Sequence, residues 1–262
     1  MNRPADRLID LSSQFTYPLS AMIKSKLWYL QKIRLFNEMS REEMEDLART
    51  ARMESVKKKN TIFLPGDPSL QVYLLKEGRV KISRVSEEGR EVTLALLEPG
   101  EIFGELEALD DSPRGALAEA LDDTQLCVIQ REFFVALIRR KPELSFRLTK
   151  LIGFRMRRIE SRVEDLVFRD VPARLAHLLI QLSKDHGKGM PEGISLQIKL
   201  THQEMANLIG AIRETVSAIL GEWKKEGLIA VEGRRIILYR LDLLQKRAGS
   251  PVSASKPSFP IL

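Results

Sequence analysis

Arg213, Glu214, Thr215 and Ser217 stand close together at the start of a run whose apolar residues recur at helical spacing. A guanidinium fork donates to a guanine edge and a carboxylate accepts from cytosine. Arg and Glu side by side on the exposed start of a helix are therefore suited to reading base edges in a duplex groove. Val216, Ile219, Leu220 and Trp223 give that helix, Arg213–Glu226, its apolar face, and Gly227 closes it. A preceding element has to hold it in place. Thr201 is a good N-cap and Glu204 follows three residues later, a capping box that opens a helix with Met205, Leu208 and Ile209 on its apolar side. Gly210 ends this first helix in the left-handed conformation a sharp turn needs. Thr201 and Gln203, at its start, join the candidate DNA contacts. Two short helices joined by such a turn carry the second into a major groove; the same pattern also describes a helical hairpin that only packs.

The next residues favour the groove. Leu228–Val231 and Ile236–Arg240 are short apolar runs separated by Glu232-Gly233-Arg234-Arg235, which reads as a β-hairpin with a basic tip. Helix, turn, helix, hairpin is a winged helix-turn-helix. Arg234 and Arg235 suit phosphate contact, and a solvated basic turn describes those two equally well.

A second constellation lies far upstream. Gly104-Glu105, at the start of a short helix, presents backbone N–H groups to an anion. Arg114, nine residues after Glu105, can pair with a phosphate through its guanidinium fork. The alternative for Glu105 and Arg114 is a structural ion pair.

The elements between complete the layout. Residues 33–57 read as helical, with Leu35-Phe36 and then Met39-Ser40 capping REEMEDLARTA. Between 58 and 130, Thr61–Leu64, Val72–Leu75, Val80–Ile82 and Val92–Leu96 are strand-like runs among Gly66, Gly78, Gly89 and Gly100, the look of an antiparallel roll or barrel. Residues 131–169 read as helical again. Ile152, Met156, Ile159, Val163 and Leu166 alternate at steps of four and three, an a/d seam for a parallel two-stranded coiled coil. One helix packed on its own β-domain is the alternative. A homodimer would carry two reading helices about one duplex turn apart, roughly 34 Å, and so predicts a palindromic target. Pro172 marks the boundary after the long helix, with a hinge at Phe168–Pro172. The tail RAGSPVSASKPSFPIL is Ser- and Pro-rich and expected to be disordered.

Arg213-Glu214-Thr215-Val216 after L-I-G resembles the recognition-helix signature of the cyclic-AMP receptor protein/FNR (CRP/FNR) superfamily of bacterial transcription regulators. Phe103-Gly104-Glu105-Leu106 followed by Ser112-Pro113-Arg114 resembles the phosphate-binding cassette of cyclic-nucleotide-binding domains. The two motifs stand in the family's order with a long helix between them, and the resemblance covers roughly residues 33–245. It implies an α+β chain: an extension at 1–32, a cyclic-nucleotide-binding-type β-roll (jelly roll) at 33–141, a dimerisation helix at 142–169, a winged helix-turn-helix at 170–245 and a tail at 246–262. In the family the Glu takes the ribose hydroxyl and the Arg the cyclic phosphate, so by position Gly104, Glu105, Arg114, Gly115 and Ala116 line the effector pocket. The resemblance also implies a TGTGA-like half-site and contact with RNA polymerase. Three positions depart from the cyclic-AMP receptor. Gly115 replaces a hydroxyl residue, Ile159-Glu160 fall where its adenine-reading Thr-Ser pair stands, and Ala218 falls on its second base-contacting Arg. Cyclic AMP, another nucleotide and no nucleotide all remain open as effectors.

Composition sets limits. The 262 residues carry 42 Lys+Arg against 36 Asp+Glu, a formal charge of +6, which favours a polyanionic partner. A single cysteine, Cys127, rules out an internal disulfide framework and an FNR-type iron–sulfur cluster. His177, His186 and His202 lie outside the sensor stretch, so no haem is expected, and no zinc-type spacing occurs. There is no apolar run of transmembrane length and no secretory signal, so a cytoplasmic protein without a membrane partner is expected. Walker A, G-x-G-x-x-G and G-x-S-x-G motifs are absent, so no enzyme is expected. The reading that follows is a dimeric transcription regulator, modulated by a ligand or by its own abundance. A constitutive regulator with an empty pocket would bind DNA equally with and without nucleotide. A nucleotide-binding scaffold would show no salt-dependent duplex binding.

Overall fold

A computed structural model of the chain describes residues 26, 29–30, 33–36, 39–233 and 235–249. After a 3₁₀ turn at Arg34–Phe36 come α1 (Arg41–Thr50), β1 (Arg52–Val56), β2 (Thr61–Phe63), β3 (Gln71–Glu77), β4 (Val80–Val85), β5 (Glu91–Leu97), β6 (Ile102–Phe103), α2 (Glu105–Asp110), β7 (Leu117–Ala120) and β8 (Thr124–Gln130). Then follow α3 (Arg131–Arg140), α4 (Pro142–Phe168), α5 (Val171–His186), β9 (Gly187–Met190), β10 (Gly193–Leu196), α6 (His202–Ile209), α7 (Arg213–Lys225), β11 (Ile229–Glu232), β12 (Arg235–Leu238) and α8 (Leu241–Ala248). The chain is α+β, a β-sheet domain followed by a long helix and a helix-turn-helix with a small sheet. It divides into two compact units, one of the residues up to Val80 with Leu97–Leu148, the other of Lys81–Leu96 with the residues from Thr149 onward.

In the first unit, Ser40 opens α1 with a capping box. Its hydroxyl accepts from the Glu43 N–H and the Glu43 carboxylate accepts from the Ser40 N–H. Met44, Leu47 and Ala48, at helical spacing, turn inward. β1, β8, β3 and β6 form an antiparallel sheet in that order, with Cys127 of β8 opposite Met53 on one side and Leu74 on the other. β2 pairs with β7, Phe63 opposite Ala118. Val72, Leu74, Leu75, Leu126 and Ile129 are fully buried, which is what the unbroken apolar runs of β3 and β8 require.

The second unit packs α5, α6, α7, α8 and a four-stranded sheet ordered β11-β12-β10-β9 around one core. Leu175 and Leu179 of α5, Met205 of α6, Val216, Leu220 and Trp223 of α7, Ile229, Leu238 and Leu244 meet there. Asp170 caps α5 by accepting from the Ala173 N–H, with Pro172 in the first turn, so only two residues separate the end of α4 from the next helix. β5 is tied into this unit by polar contacts. Asn207 of α6 donates to Glu91 at 2.7 Å, Glu91 pairs with Lys81, and Arg162 of α4 donates to the Thr93 and Leu94 carbonyls.

The structure corrects several expectations. Residues 52–56, read as the end of a helix, are β1, because long-range pairing with β8 outweighs the local helical pattern. Tyr29 and Leu30, assigned to an N-terminal extension, are buried, and the Tyr29 hydroxyl donates to the Leu75 carbonyl. α8 crosses the expected start of the tail at 246 and runs to Ala248, since Leu244 and Ala248 both face the core. The β9–β10 pair was not anticipated. The role of residues 1–25 and the expected disorder of 250–262 lie outside the described residues.

Candidate functional site

The helix-turn-helix is built from its caps. The Glu204 N–H donates to the Thr201 hydroxyl, and the Glu204 carboxylate accepts in return from the Thr201 N–H and O–H. The Thr201 side chain is therefore committed to starting α6. Gln203 is exposed, and its amide donates to Asn207 at 2.8 Å. Gly210 follows α6 at φ 62°, the left-handed turn that lets α7 begin three residues later.

At the start of α7, Ile212, Arg213 and Glu214 are exposed while Val216, Ile219, Leu220 and Trp223 are buried behind them. Ile212 as N-cap offers no side-chain acceptor to the first N–H groups of α7. Thr215 is half-buried. Ser217 is not an open reader. Its hydroxyl donates to the Arg213 carbonyl at 2.9 Å and lies 2.7 Å from His202 Nδ1, which the network assigns as the donor. His202 thereby fastens the start of α6 to the first turns of α7. The sequence gives no sign of this role for His202, because a contact fifteen residues away has no local signature. In the wing Arg235 is exposed and pairs in register with Glu232. Arg234 lies outside the described residues.

The cassette sits in the first unit. Gly104 leaves β6 at φ 72° and opens α2. Glu105 and Arg114 are each 2% exposed and Ala116 is buried, while Gly115 is exposed. The turn at Gly66-Asp67 holds Arg114 by its backbone, its N–H donating to the Asp67 carbonyl and its carbonyl accepting from the Gly66 N–H. The Arg114 guanidinium points inward. Nη1 donates to the Gly104 carbonyl at 2.8 Å and Nη2 to the Gln71 carbonyl. The cation lies 4.5 Å from the centroid of Phe63, which clusters with Tyr73 and Phe103. Burial raises the Tyr73 phenol above its ordinary pKa, partly offset by the charge of Arg114. The arrangement can hold an anion, and a carboxylate already stands in it. Glu107 pairs with Arg114 Nη1 at 3.5 Å and accepts from the Gly115 N–H at 3.4 Å.

Gly104 is required twice over. Its φ suits glycine, and a Cβ there would stand 2.6 Å from Arg114 Nη1. Gly104→Ala should lose about 1–2 kcal/mol from the backbone conformation alone. Urea unfolding of the pair measures it; an unchanged midpoint would mean the αL turn is not present.

Ile159 and Glu160, the expected base-reading positions of the pocket, are exposed residues of α4 in the second unit. On that helix only Leu144 and Leu148 are buried. Met156 is 60% exposed, Ile159 49%, Val163 54% and Leu166 50%, and Ile152 is half-buried. At the α4–α5 junction Asp165 meets Arg169 at 2.8 Å and His177 at 2.5 Å.

Cys127 is buried in β8, and burial pushes its thiol up to about 11. It stays protonated at neutral pH and should be inert to Ellman's reagent until the chain is unfolded in denaturant. Rapid labelling of the native protein would reopen a redox role. No group of His, Cys, Asp or Glu suited to a metal ion occurs among the described residues, and no helix there is long and apolar enough to cross a membrane.

Comparison with known proteins agrees with both halves of the geometry. Residues 53–141 match the cyclic nucleotide-binding domain model and residues 173–247 the Crp-like helix-turn-helix domain model. The chain is 38% identical over 189 residues to the global nitrogen regulator of Synechococcus elongatus, covering 71% of this chain and 85% of that protein. It is 33% identical over 189 residues to the CRP-like cAMP-activated global transcriptional regulator of Mycobacterium tuberculosis, covering 72% and 84%. Among solved structures, a CRP-family transcriptional regulator from Thermus thermophilus superposes with a TM-score of 0.63 at 30% identity, over 77% of this chain and 100% of that one.

Proposed function

The chain belongs to the CRP/FNR family of transcription regulators, DNA-binding proteins and not enzymes, and from that membership we propose that it acts as a homodimer on a palindromic, TGTGA-like site. The carrying observation is the exposed Arg213-Glu214 pair on the first turn of α7, with the core of the second unit directly behind it. Arg213 donates to guanine and Glu214 accepts from cytosine in a G·C-containing core. Ala218, exposed one turn further on, brings no donor, so the half-site is read less strictly than full TGTGA. Arg235 and the uncapped N–H groups at the start of α7 meet phosphates. Gln203 stands at the edge of this surface, and Thr201 and Ser217 support it from behind.

The dimer reading rests on the exposed seam Met156, Ile159, Val163 and Leu166, continued by Ile152. A 27-residue helix with an apolar stripe of period 3.5 is completed by a second copy of itself. Contact with RNA polymerase, implied by the resemblance, belongs to the same proposal. A small effector at the cassette would act by favouring one arrangement of the α4–α5 junction over another.

Fluorescence anisotropy of a labelled palindromic TGTGA-type duplex against a scrambled duplex, each with and without cyclic AMP, tests the reading. The expected result is tighter binding to the palindrome at every salt concentration, weakening as salt rises. Equal affinity for both duplexes would overturn it.

A further inference from the structure

Arg114 and the Gly115 N–H are two donors of the cassette suited to an anion, and Glu107 engages both. One carboxylate oxygen lies 3.5 Å from Arg114 Nη1 and the other 3.4 Å from the Gly115 nitrogen. We propose that Glu107 is the built-in anion of the sensor and its specificity determinant: its carboxylate stands where a ligand's phosphate oxygens would stand and makes the pocket refuse a cyclic nucleotide. This rests on the reading of residues 53–141 as a cyclic-nucleotide-type sensor.

The surroundings leave little for a second anion. The remaining Arg114 donors turn away from the opening, toward the Gly104 and Gln71 carbonyls, and its Nε is buried without a hydrogen-bond partner. The Arg114 side chain is 1% exposed and that of Glu107 21%, so the carboxylate is the face of this ion pair that meets solvent. Phe63, 4.5 Å from the guanidinium, and the Tyr73 ring fix its depth. An entering phosphate would meet one cation already neutralised and one carboxylate of its own sign, with Glu105 buried in the same short helix. Like charges brought together in a partly desolvated site exclude the wrong ligand more than any lost contact does. Two residues on from Glu105, a side chain as short as alanine would not reach either donor. The sensor half is thereby held closed by its own chain, and control of the regulator does not pass through a cyclic phosphate.

The test uses the full-length protein with cyclic AMP and, separately, inorganic phosphate as probes, read by calorimetric titration and by ligand-induced shift of the melting temperature. Wild-type protein is expected to bind neither. Glu107→Ala should gain cyclic-AMP affinity by at least about tenfold, the scale of one removed like-charge contact. Glu107→Gln, which keeps the volume and removes the charge, should gain in the same direction and decides the matter if the alanine variant unfolds. Wild-type protein binding cyclic AMP as tightly as the variants overturns the proposal. So does a folded variant that gains nothing. A gain for phosphate alone shows an anion subsite without a nucleotide pocket, and overturns Glu107 as the determinant against cyclic nucleotides. Loss of sequence-specific duplex binding in the anisotropy experiment would sink the DNA reading and leave these titrations as they are.

Discussion

A protein carrying Ile159→Lys and Val163→Lys should run as a monomer in sedimentation and lose about 10²–10⁴-fold in affinity for the palindromic duplex, the amount that simultaneous engagement of two half-sites contributes. Both side chains are about half exposed within the chain, at 49% and 54%, so lysine at either position leaves the chain's own core untouched. In a parallel coiled coil each would face its copy, and two added ammonium groups per helix would repel across the seam. Circular dichroism should show the helix content unchanged. A variant that remains dimeric, or a monomer that binds the full palindrome as tightly as wild type, would remove the two-fold model.

Arg213→Ala is expected to weaken binding to the cognate site by about 1–3 kcal/mol, roughly 5- to 150-fold. Binding to a scrambled duplex should fall much less. Arg213 is exposed, and its carbonyl, which the substitution retains, is what the Ser217 hydroxyl uses, so the fold of α7 survives. Arg235→Ala should behave differently. A phosphate contact carries no sequence information, so both duplexes should weaken alike and the salt dependence become shallower by about one unit. If Arg213→Ala weakened the two duplexes equally, Arg213 would be a phosphate contact and the base reading would have to move to Glu214 or Thr215.

The parts of this chain legible in its sequence are those whose physics is local. The capping boxes at Ser40–Glu43 and Thr201–Glu204 span three residues and occur as written. Gly210 sits at φ 62° because the chain has to turn between two helices, and the Gly residue announces it. The buried face of α7 follows from the period of its apolar residues alone. Even the missed end of α8 was present in the spacing of Leu241, Leu244 and Ala248, obscured by the Ser- and Pro-rich residues after it.

Tertiary structure decided what depends on neighbours distant in sequence. β1 is a strand because β8, some seventy residues later, pairs with it. Ser217 is withdrawn from the reading surface by His202, and Thr201 by its own cap. Arg114 has the residue type and spacing of a phosphate ligand. Whether it faces a ligand or the interior is settled by the Gln71 carbonyl forty-three residues away, by the Phe63 ring and by the Glu107 carboxylate. The sequence determined that a guanidinium, a Gly115 N–H and the carboxylates of Glu105, Glu107, Asp110 and Asp111 would be present in one short segment. Only the packing of α2 against β3 and the Gly66-Asp67 turn decided which carboxylate meets the cation, because ion pairing follows distance through space and not position along the chain.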